Sequence, residues 1–513
     1  MNDLPPNPAA PRAPRIIPRA EHTVSRTHLS PNALRVLYRL KDAGFQAFLV
    51  GGCVRDVLLG LEPKDFDVAT NAQPEEVRSL FRNCRLIGRR FRLAHVVFGR
   101  EIIEVATFRA SGAPDQGEEP AEEGAEEAEL DAEIDAEDDE SDADDTDEGE
   151  SDEDDEEEEE EDEDAEDATA ELPSRGHSGE RVLDSSGRIL RDNVYGSIDD
   201  DVWRRDFTAN SLYYNIADYS IWDYTGGMED VVARRLRLIG DPETRYREDP
   251  VRMLRAARFE AKLGFELAPA TVAPIAPLRN LLAGVPAARL FDEMLKLFLT
   301  GHGERSFEVL QHHGLLEVLL PSLGSYLRRY PGGAAERLLH QGLRNTDSRV
   351  VLDKPVTPTF LFALLLYGPI ALQIESMPPQ RWHEPAAILE ACDRVLREVH
   401  QRVTIPKRFA FGIRDMYALQ PRLERPRGKS ALRMLEQPRF RAAYDLLLLR
   451  AGVGLAAADV AAWWTHLQEV GPEERQRQCD ALPQQGSAAA ASEGGEPRRS
   501  RRPRRRRRKS SRA

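Results

Sequence analysis

Residues 45–70 read FQAFLVGGCVRDVLLGLEPKDFDVAT. The apolar run from Phe45 to Val50 has strand character, Gly51-Gly52 supplies a turn, and a short helix follows to Gly60. The stretch KDFDVAT, Lys64 to Thr70, is then the next strand. Asp65 and Asp67 stand at i and i+2, so a strand presents both carboxylates on one face, where they repel. One reading is a plain acidic pair on a solvated surface. The other is a divalent-cation site, in which an ion removes the repulsion. A third acid, Glu104, lies on a later strand whose Ile103, Val105 and Thr107 face the other way. Mg²⁺ takes a few carboxylates plus substrate phosphates, and a pair of such ions can clamp the attacking and leaving oxygens of an in-line displacement.

The flanking sequence builds a mixed α+β head. LSPNALRVLYRLKDAG (Leu29 to Gly44) opens with a Ser-Pro cap and repeats apolar residues at helical spacing. PEEVRSLF (Pro74 to Phe81) places Pro and acids in a first helical turn. RLAHVVFGREIIEVATFR (Arg92 to Arg109) reads as two strands joined at Gly99-Arg100. Gly51 and Gly52 let backbone N–H groups approach phosphate oxygens, with Arg55 one turn later. Two glycines alone mark only a tight turn. Glycines, then Arg, then DxD in one strand–turn–helix–strand unit is far more specific. From Asp249 onward the patterns are helical, as in PAARLFDEMLKLFLTG (Pro286 to Gly301) and FRAAYDLLLLRAGVG (Phe440 to Gly454).

Charge is divided unevenly. Between Asp115 and Glu171 stand 37 Asp and Glu and no Lys or Arg, so the net charge of −19 conceals +18 on the rest of the 513 residues. Residues 111 to about 180 cannot bury enough apolar surface to offset ordering, and disorder is expected there. The tail from Arg498 to Arg512 carries 11 positive charges. A basic chain outside one acidic insert suits a nucleic-acid partner. Cys53, Cys84, Cys392 and Cys479 are far apart, which argues against a zinc site or a disulfide framework. The adjacent His312 and His313 face different directions on a helix, and Trp463 and Trp464 read as packing residues. The Pro- and Arg-rich start has no apolar signal core, and no run is long and apolar enough to span a membrane. A cytoplasmic protein, monomeric, is the expectation.

The motifs together resemble the class II tRNA nucleotidyltransferase and bacterial poly(A) polymerase superfamily. LVGGCVRDVLLG with KDFDVAT resembles its first motif, RRDFTANSL (Arg204 to Leu212) its second, and DYTGGMEDV (Asp223 to Val231) its third. REDPVRMLRAARF (Arg247 to Phe259) resembles its fourth and the start of its fifth. The resemblance implies Asp65 and Asp67 as ligands of two Mg²⁺ ions, with Glu104 as the third catalytic carboxylate. It implies Gly51, Gly52 and Arg55 at the triphosphate of ATP, and Arg205 and Asp206 near the ribose. Glu248, Asp249 and Arg252 would read the base; physically, a carboxylate accepts from an exocyclic amine and Arg donates to a ring nitrogen. The plainer reading of that EDxxR stretch is a helix cap with ion pairs.

Both branches of the superfamily join ATP to an RNA 3′ end. LIGRRFRLAHVVFG (Leu86 to Gly99), ILRDNVYGS (Ile189 to Ser197), IPKRFAFGIRDMYALQPRLE (Ile405 to Glu424), QPRFRAAYDLLLLR (Gln437 to Arg450) and the Arg-rich tail resemble the poly(A) polymerases. Arg89, Arg90 and Arg92 are available there for RNA phosphates. The expectation is template-independent polyadenylation of RNA 3′ ends with release of pyrophosphate, with RNA-decay or RNA-binding proteins as further partners. The alternatives are a CCA-adding enzyme and a non-catalytic RNA-binding protein of the same fold. The expected plan is a disordered leader (1–28), a catalytic head (29–240, interrupted by the insert 111–180), a helical neck that reads the base (241–300), a helical RNA-binding body (301–470) and a disordered basic tail (471–513).

Overall fold

The computed structural model describes residues 13–88, 92–110, 182–183, 189–191 and 195–482. The acidic insert (111–180), the tail beyond residue 482, Arg89 and Arg90 lie outside the described residues; the first part of the expected disordered tail is instead ordered, as the helix Pro472–Asp480 with Cys479 buried, and two short paired strands, Val182–Leu183 and Ile189–Arg191, follow the insert. The described residues fall into two compact units. One runs to Pro331 and adds His340–Leu361 and Val395–Lys407; the other holds Gly332–Leu339, Phe362–Arg394 and the chain from Arg408.

The first unit is organised by an eight-stranded mixed sheet. Its strands are β1 (Arg15–Ile17), β2 (Ala47–Val50), β3 (Asp67–Thr70), β4 (Cys84–Ile87), β5 (Leu93–Phe98), β6 (Glu101–Thr107), β7 (Leu212–Asn215) and β8 (Ile221–Asp223). They lie in the order β1-β8-β7-β2-β3-β6-β5-β4. Only β3 and β6 run parallel; every other neighbouring pair is antiparallel. A parallel pair needs a crossover, and α3 (Pro74–Leu80) with the β4–β5 hairpin supplies it. On one face α1 (Pro31–Asp42) buries Ala33, Val36, Leu37 and Leu40, a spacing of i, i+3, i+4, i+7. Its start is set by Ser30, whose hydroxyl accepts from the N–H groups of Asn32 and Ala33, with Pro31 at the first helical position. On the other face Ile198 and Val202 of α4 (Ile198–Arg204) pack over Phe48, Val50, Ala69, Phe108 and Tyr213.

Two further expectations change. Residues 13–28 are not disordered leader: β1 pairs with β8, Ile17 opposite Ile221, and Ile17 and Val24 are buried. A Pro- and Arg-rich average hides this, because closing a sheet edge takes only three residues. The strand in KDFDVAT begins at Asp67, so Asp65 sits exposed on the approach to it rather than within it.

Beyond the sheet the chain is helical. DYTGGMEDV forms the end of β8 and α5 (Gly227–Val232). The Asp223 carboxylate accepts four backbone N–H groups, from Thr225, Gly226, Gly227 and Met228, at 2.8–3.0 Å. Gly227 is required, because a Cβ there would collide with the carbonyl oxygen of Thr208. Asp230 closes the joint, accepting from the Thr208 hydroxyl at 2.6 Å and Arg237 Nε at 2.9 Å. In the second unit Trp464 is fully buried and donates its indole N–H to the carbonyl of Leu423 at 2.8 Å. All four cysteines are free and buried. No single helix among the described residues is long and apolar enough to cross a membrane.

Asp223→Ala strips four donors of one acceptor at a buried joint. We expect a loss of roughly 2–4 kcal/mol in urea denaturation, with Asp223→Asn losing less because one amide oxygen still accepts.

Candidate active site

One lateral row across the sheet gathers the chemistry. Tyr213 of β7 is the register partner of Val50, Val50 of Asp67, Asp67 of Glu104, and Glu104 of His95. Register partners project to the same face. Asp67 and Glu104 therefore lie side by side because β3 and β6 are parallel and in that register, while Ile103, Val105 and Thr107 are buried on the opposite face. His95 Nε2 stands 3.8 Å from Glu104.

The Gly51 turn leans on this row. Gly51 has φ 84°, a conformation natural to glycine, and a Cβ there would stand 3.3 Å from Asp67 Oδ2 and 4.0 Å from Arg205 Nη1. Burial pushes the Asp67 carboxyl up to about 6; Glu104 adds to the rise, Arg205 opposes it, and Asp65 adds a little more. Asp67 and Glu104 stand side by side, with the exposed Asp65 two residues before Asp67, and a divalent cation with hard oxygen preferences fits that donor set.

The cationic side of the site is tightly held. Arg205, just past α4, donates through Nε to the Tyr213 hydroxyl at 2.8 Å and through Nε and Nη2 to Asp201 at 3.3 and 3.2 Å. The Tyr213 hydroxyl donates to Asp201 at 2.8 Å. Burial alone would weaken the Arg205 charge, but Tyr213 and Asp201 outweigh it and its pKa rises. Arg55 is buried within α2 (Gly52–Leu58), paired with Asp56 and hydrogen-bonded to Asn210, with its guanidinium 5.8 Å from the Phe259 ring centroid.

The second and fourth sequence motifs meet at Asp206. Its carboxylate accepts from Arg252 at 3.1 Å and from Arg255. Burial would raise its pKa, but Arg255 and Arg252 prevail and hold it below the usual carboxylate value. Glu248 ends α6 (Pro242–Glu248) and pairs with Arg245 at 2.8 Å and Arg252 at 3.4 Å. Asp249 is buried before α7 (Val251–Leu263). It caps Val251 N–H at 3.1 Å and takes both guanidinium nitrogens of Arg289, at 3.1 and 2.8 Å. Arg245 also donates to the carbonyls of Arg204 and Arg205, at 2.9 and 3.1 Å, tying α6 to the RRD turn.

Thus Gly51, Asp67, Glu104 and Arg205 come together, and Asp206, Glu248 and Arg252 form a second, joined cluster. Arg92 pairs with Glu75 of α3. His313 pairs with Glu260 at 2.8 Å. The sequence reading missed Tyr213, Asp201, Asn210, Arg245, Arg255 and Arg289. Asn210 lies inside a recognised motif; Arg289 stands forty residues from its partner, and no local pattern marks it.

A head sheet with carboxylates on neighbouring strands, joined to a helical extension, is the architecture of a nucleotidyltransferase, and the chain is one. Family comparisons match a "Poly A polymerase head domain" over residues 47–237, a "Probable RNA and SrmB- binding site of polymerase A" over 264–327 and a "Polymerase A arginine-rich C-terminus" over 380–509. The chain is 43% identical to poly(A) polymerase I of Escherichia coli O6:H1, across 92% of this chain and 90% of that protein. It is 30% identical to a CCA-adding enzyme of Bacillus pumilus, across 56% of this chain and 54% of that protein. A tRNA-processing enzyme in its apo form shares the fold, with a TM-score of 0.51 at 18% identity over 86% of this chain and 99% of that one. The chain belongs to the poly(A) polymerase I family.

Asp67 holds its proton more tightly when folded than the unfolded chain does. Its stabilising contribution is therefore full in acid and lost as pH rises from about 4 to about 6. Asp67→Asn should stabilise the metal-free protein at pH 7, by up to about 3 kcal/mol. Mg²⁺ should raise the melting temperature of the wild type above pH 6 and leave that of Asp67→Asn unchanged.

Proposed function

We propose that this enzyme extends RNA 3′ ends with AMP units from ATP, without a template, releasing pyrophosphate. The observation that carries the reading is the pairing of Asp67 with Glu104 beside the Gly51 turn, linked through Arg205 and Asp206 to the EDxxR stretch. Asp65, Asp67 and Glu104 would hold the divalent ions, two Mg²⁺ in the full site. Bound there, they would polarise the α-phosphate and lower the pKa of the RNA 3′-hydroxyl.

The chain's own residues do the positioning. The Gly51–Gly52 backbone offers close approach to a triphosphate, and Arg205, fixed by Tyr213 and Asp201, adds charge at the same turn. Arg55 braces the turn from beneath through Asp56 and Asn210. Asp206, clamped by two arginines, would lie near the ribose. Asp249 and Arg252 present an acceptor and a donor to the base edge, and Arg289 fixes the acceptor. Little covalent chemistry falls to the protein; orientation and electrostatics supply the rate. Arg89, Arg90 and Arg92 are proposed as RNA-phosphate contacts, and the helical region as the remaining RNA surface. Likeness to poly(A) polymerases along nearly the whole chain favours this reading over CCA addition, where likeness covers about half.

Primer extension tests it. Purified protein with Mg²⁺ and a generic RNA should give long ladders with ATP alone and little product with CTP. Addition limited to CCA on tRNA lacking that end would make it the tRNA-maturing relative instead. The Asp65→Ala/Asp67→Ala protein should lose extension while keeping most RNA affinity; continued extension would overturn the metal assignment.

Arg289→Ala frees the Asp249 carboxylate. We expect the KM for ATP to rise about tenfold and the preference for ATP over CTP to narrow, read from initial rates with each nucleotide.

A further inference from the structure

A cleft of about 280 Å³ opens in the first unit, among elements not used by the catalytic row. Arg279 and Asn280 come from the 3-10 helix Arg279–Gly284, Glu317 and Val318 from the helix Leu316–Leu319, and Pro321 from the start of the next. Arg402 closes it from a distant stretch of chain.

Its charge is unbalanced. Among the described residues no acidic side chain pairs with Arg279 or Arg402. The one carboxylate on the wall, Glu317, is already taken by Arg328. Two arginines without an acidic partner therefore line one cleft that carries a single carboxylate, and a guanidinium fork matches phosphate geometry. Arg279 is also seated in advance. It lies across Gly314, which has φ 66°, and a Cβ on Gly314 would collide with Arg279 Nη1. A larger residue there would displace the guanidinium.

The ligand's form follows from the walls. Asn280, Glu317 and Pro321 are exposed, so the cleft is open rather than enclosing. Small-molecule sites bury most of their ligand; an open cationic cleft suits a chain that passes through. We infer that Arg279 and Arg402 together grip one backbone phosphate of the RNA being extended. This rests on the polymerase reading and carries it to named residues: six of the seven lining residues lie in the stretch matched to the RNA-binding family, and Arg402 lies outside it. The subsite anchors RNA without reading its sequence, because phosphate contacts position and base contacts specify.

The test is binding of a labelled unstructured RNA by fluorescence anisotropy over a series of KCl concentrations, with the full chain. Arg279→Gln/Arg402→Gln should weaken binding about tenfold at physiological salt. The slope of log affinity against log salt should become shallower by about 0.7, the value for one phosphate on a single strand. Arg279→Lys/Arg402→Lys should keep the slope, and Arg35→Gln/Arg78→Gln, a charge-matched change on exposed head residues, should keep both. Extension rate at saturating RNA should be unchanged in all. An unchanged slope in the first variant, or an equal change in the head control, would overturn the proposal. So would RNA binding that is intact while affinity for a poly-glutamate peptide is lost, which would make the cleft a protein-docking site. Thermal melting verifies folding of each variant. Extension of the same RNA by the wild type reports on the polymerase reading separately.

Discussion

The parallel pairing of β3 with β6 is the constraint on which this enzyme depends. It sets Asp67 beside Glu104 in a shared row and points both away from the buried Ile103, Val105 and Thr107. A slip of one residue would turn the whole strand over, burying carboxylates and exposing valine. The apolar face of β6 thus holds the acidic face in register. The like charges at the site are the consequence of that arrangement, and burial, with Glu104 adding to it, raises the Asp67 pKa. Such a rise is usual where a site is built to receive a cation that the fold itself does not supply.

The remaining motifs act as joints that hold neighbouring parts to this row. Asp223 and Asp230 dock α5 against Thr208, directly after the RRD turn. Arg245 ties α6 to the backbone of the same turn, and Arg252 and Arg255 grip Asp206. Each joint pairs a buried or half-buried charge with several donors or acceptors, and removal of one member leaves the others unsatisfied. Arg55, which the resemblance assigns to the triphosphate, is such a charge: its guanidinium is engaged by Asp56 and Asn210 and lies against Gly52 of the turn.

Much of the fold was legible in local pattern. The Ser30 cap, the Gly51–Gly52 turn, the Gly99-Arg100 hairpin and the helical character after Asp249 all follow from short-range chemistry. What escaped were contacts made by long-range closure. Residues 15–17 have an unremarkable composition, and only the free edge of β8 makes them a strand. Arg289 has no motif around it, and only the approach of its helix to the start of α7 gives it Asp249. Tyr213 reads as a core aromatic, and it is one; its hydroxyl meets Arg205 and Asp201 because pairing with Val50 sets it beside the Gly51 turn.

The sequence by itself pointed to the class of chemistry, because its motifs and their order resemble those of one nucleotidyltransferase superfamily; the spacing of Asp65 and Asp67 alone left a plain surface acidic pair open. It also determined the basic character outside the insert, which is a matter of counting. Tertiary structure alone decided which side chains share the site. Asp67 and Glu104 are far apart in the chain, as are Asp206 and Arg252. Their meeting depends on strand register and helix packing, properties of the whole core that no local window contains.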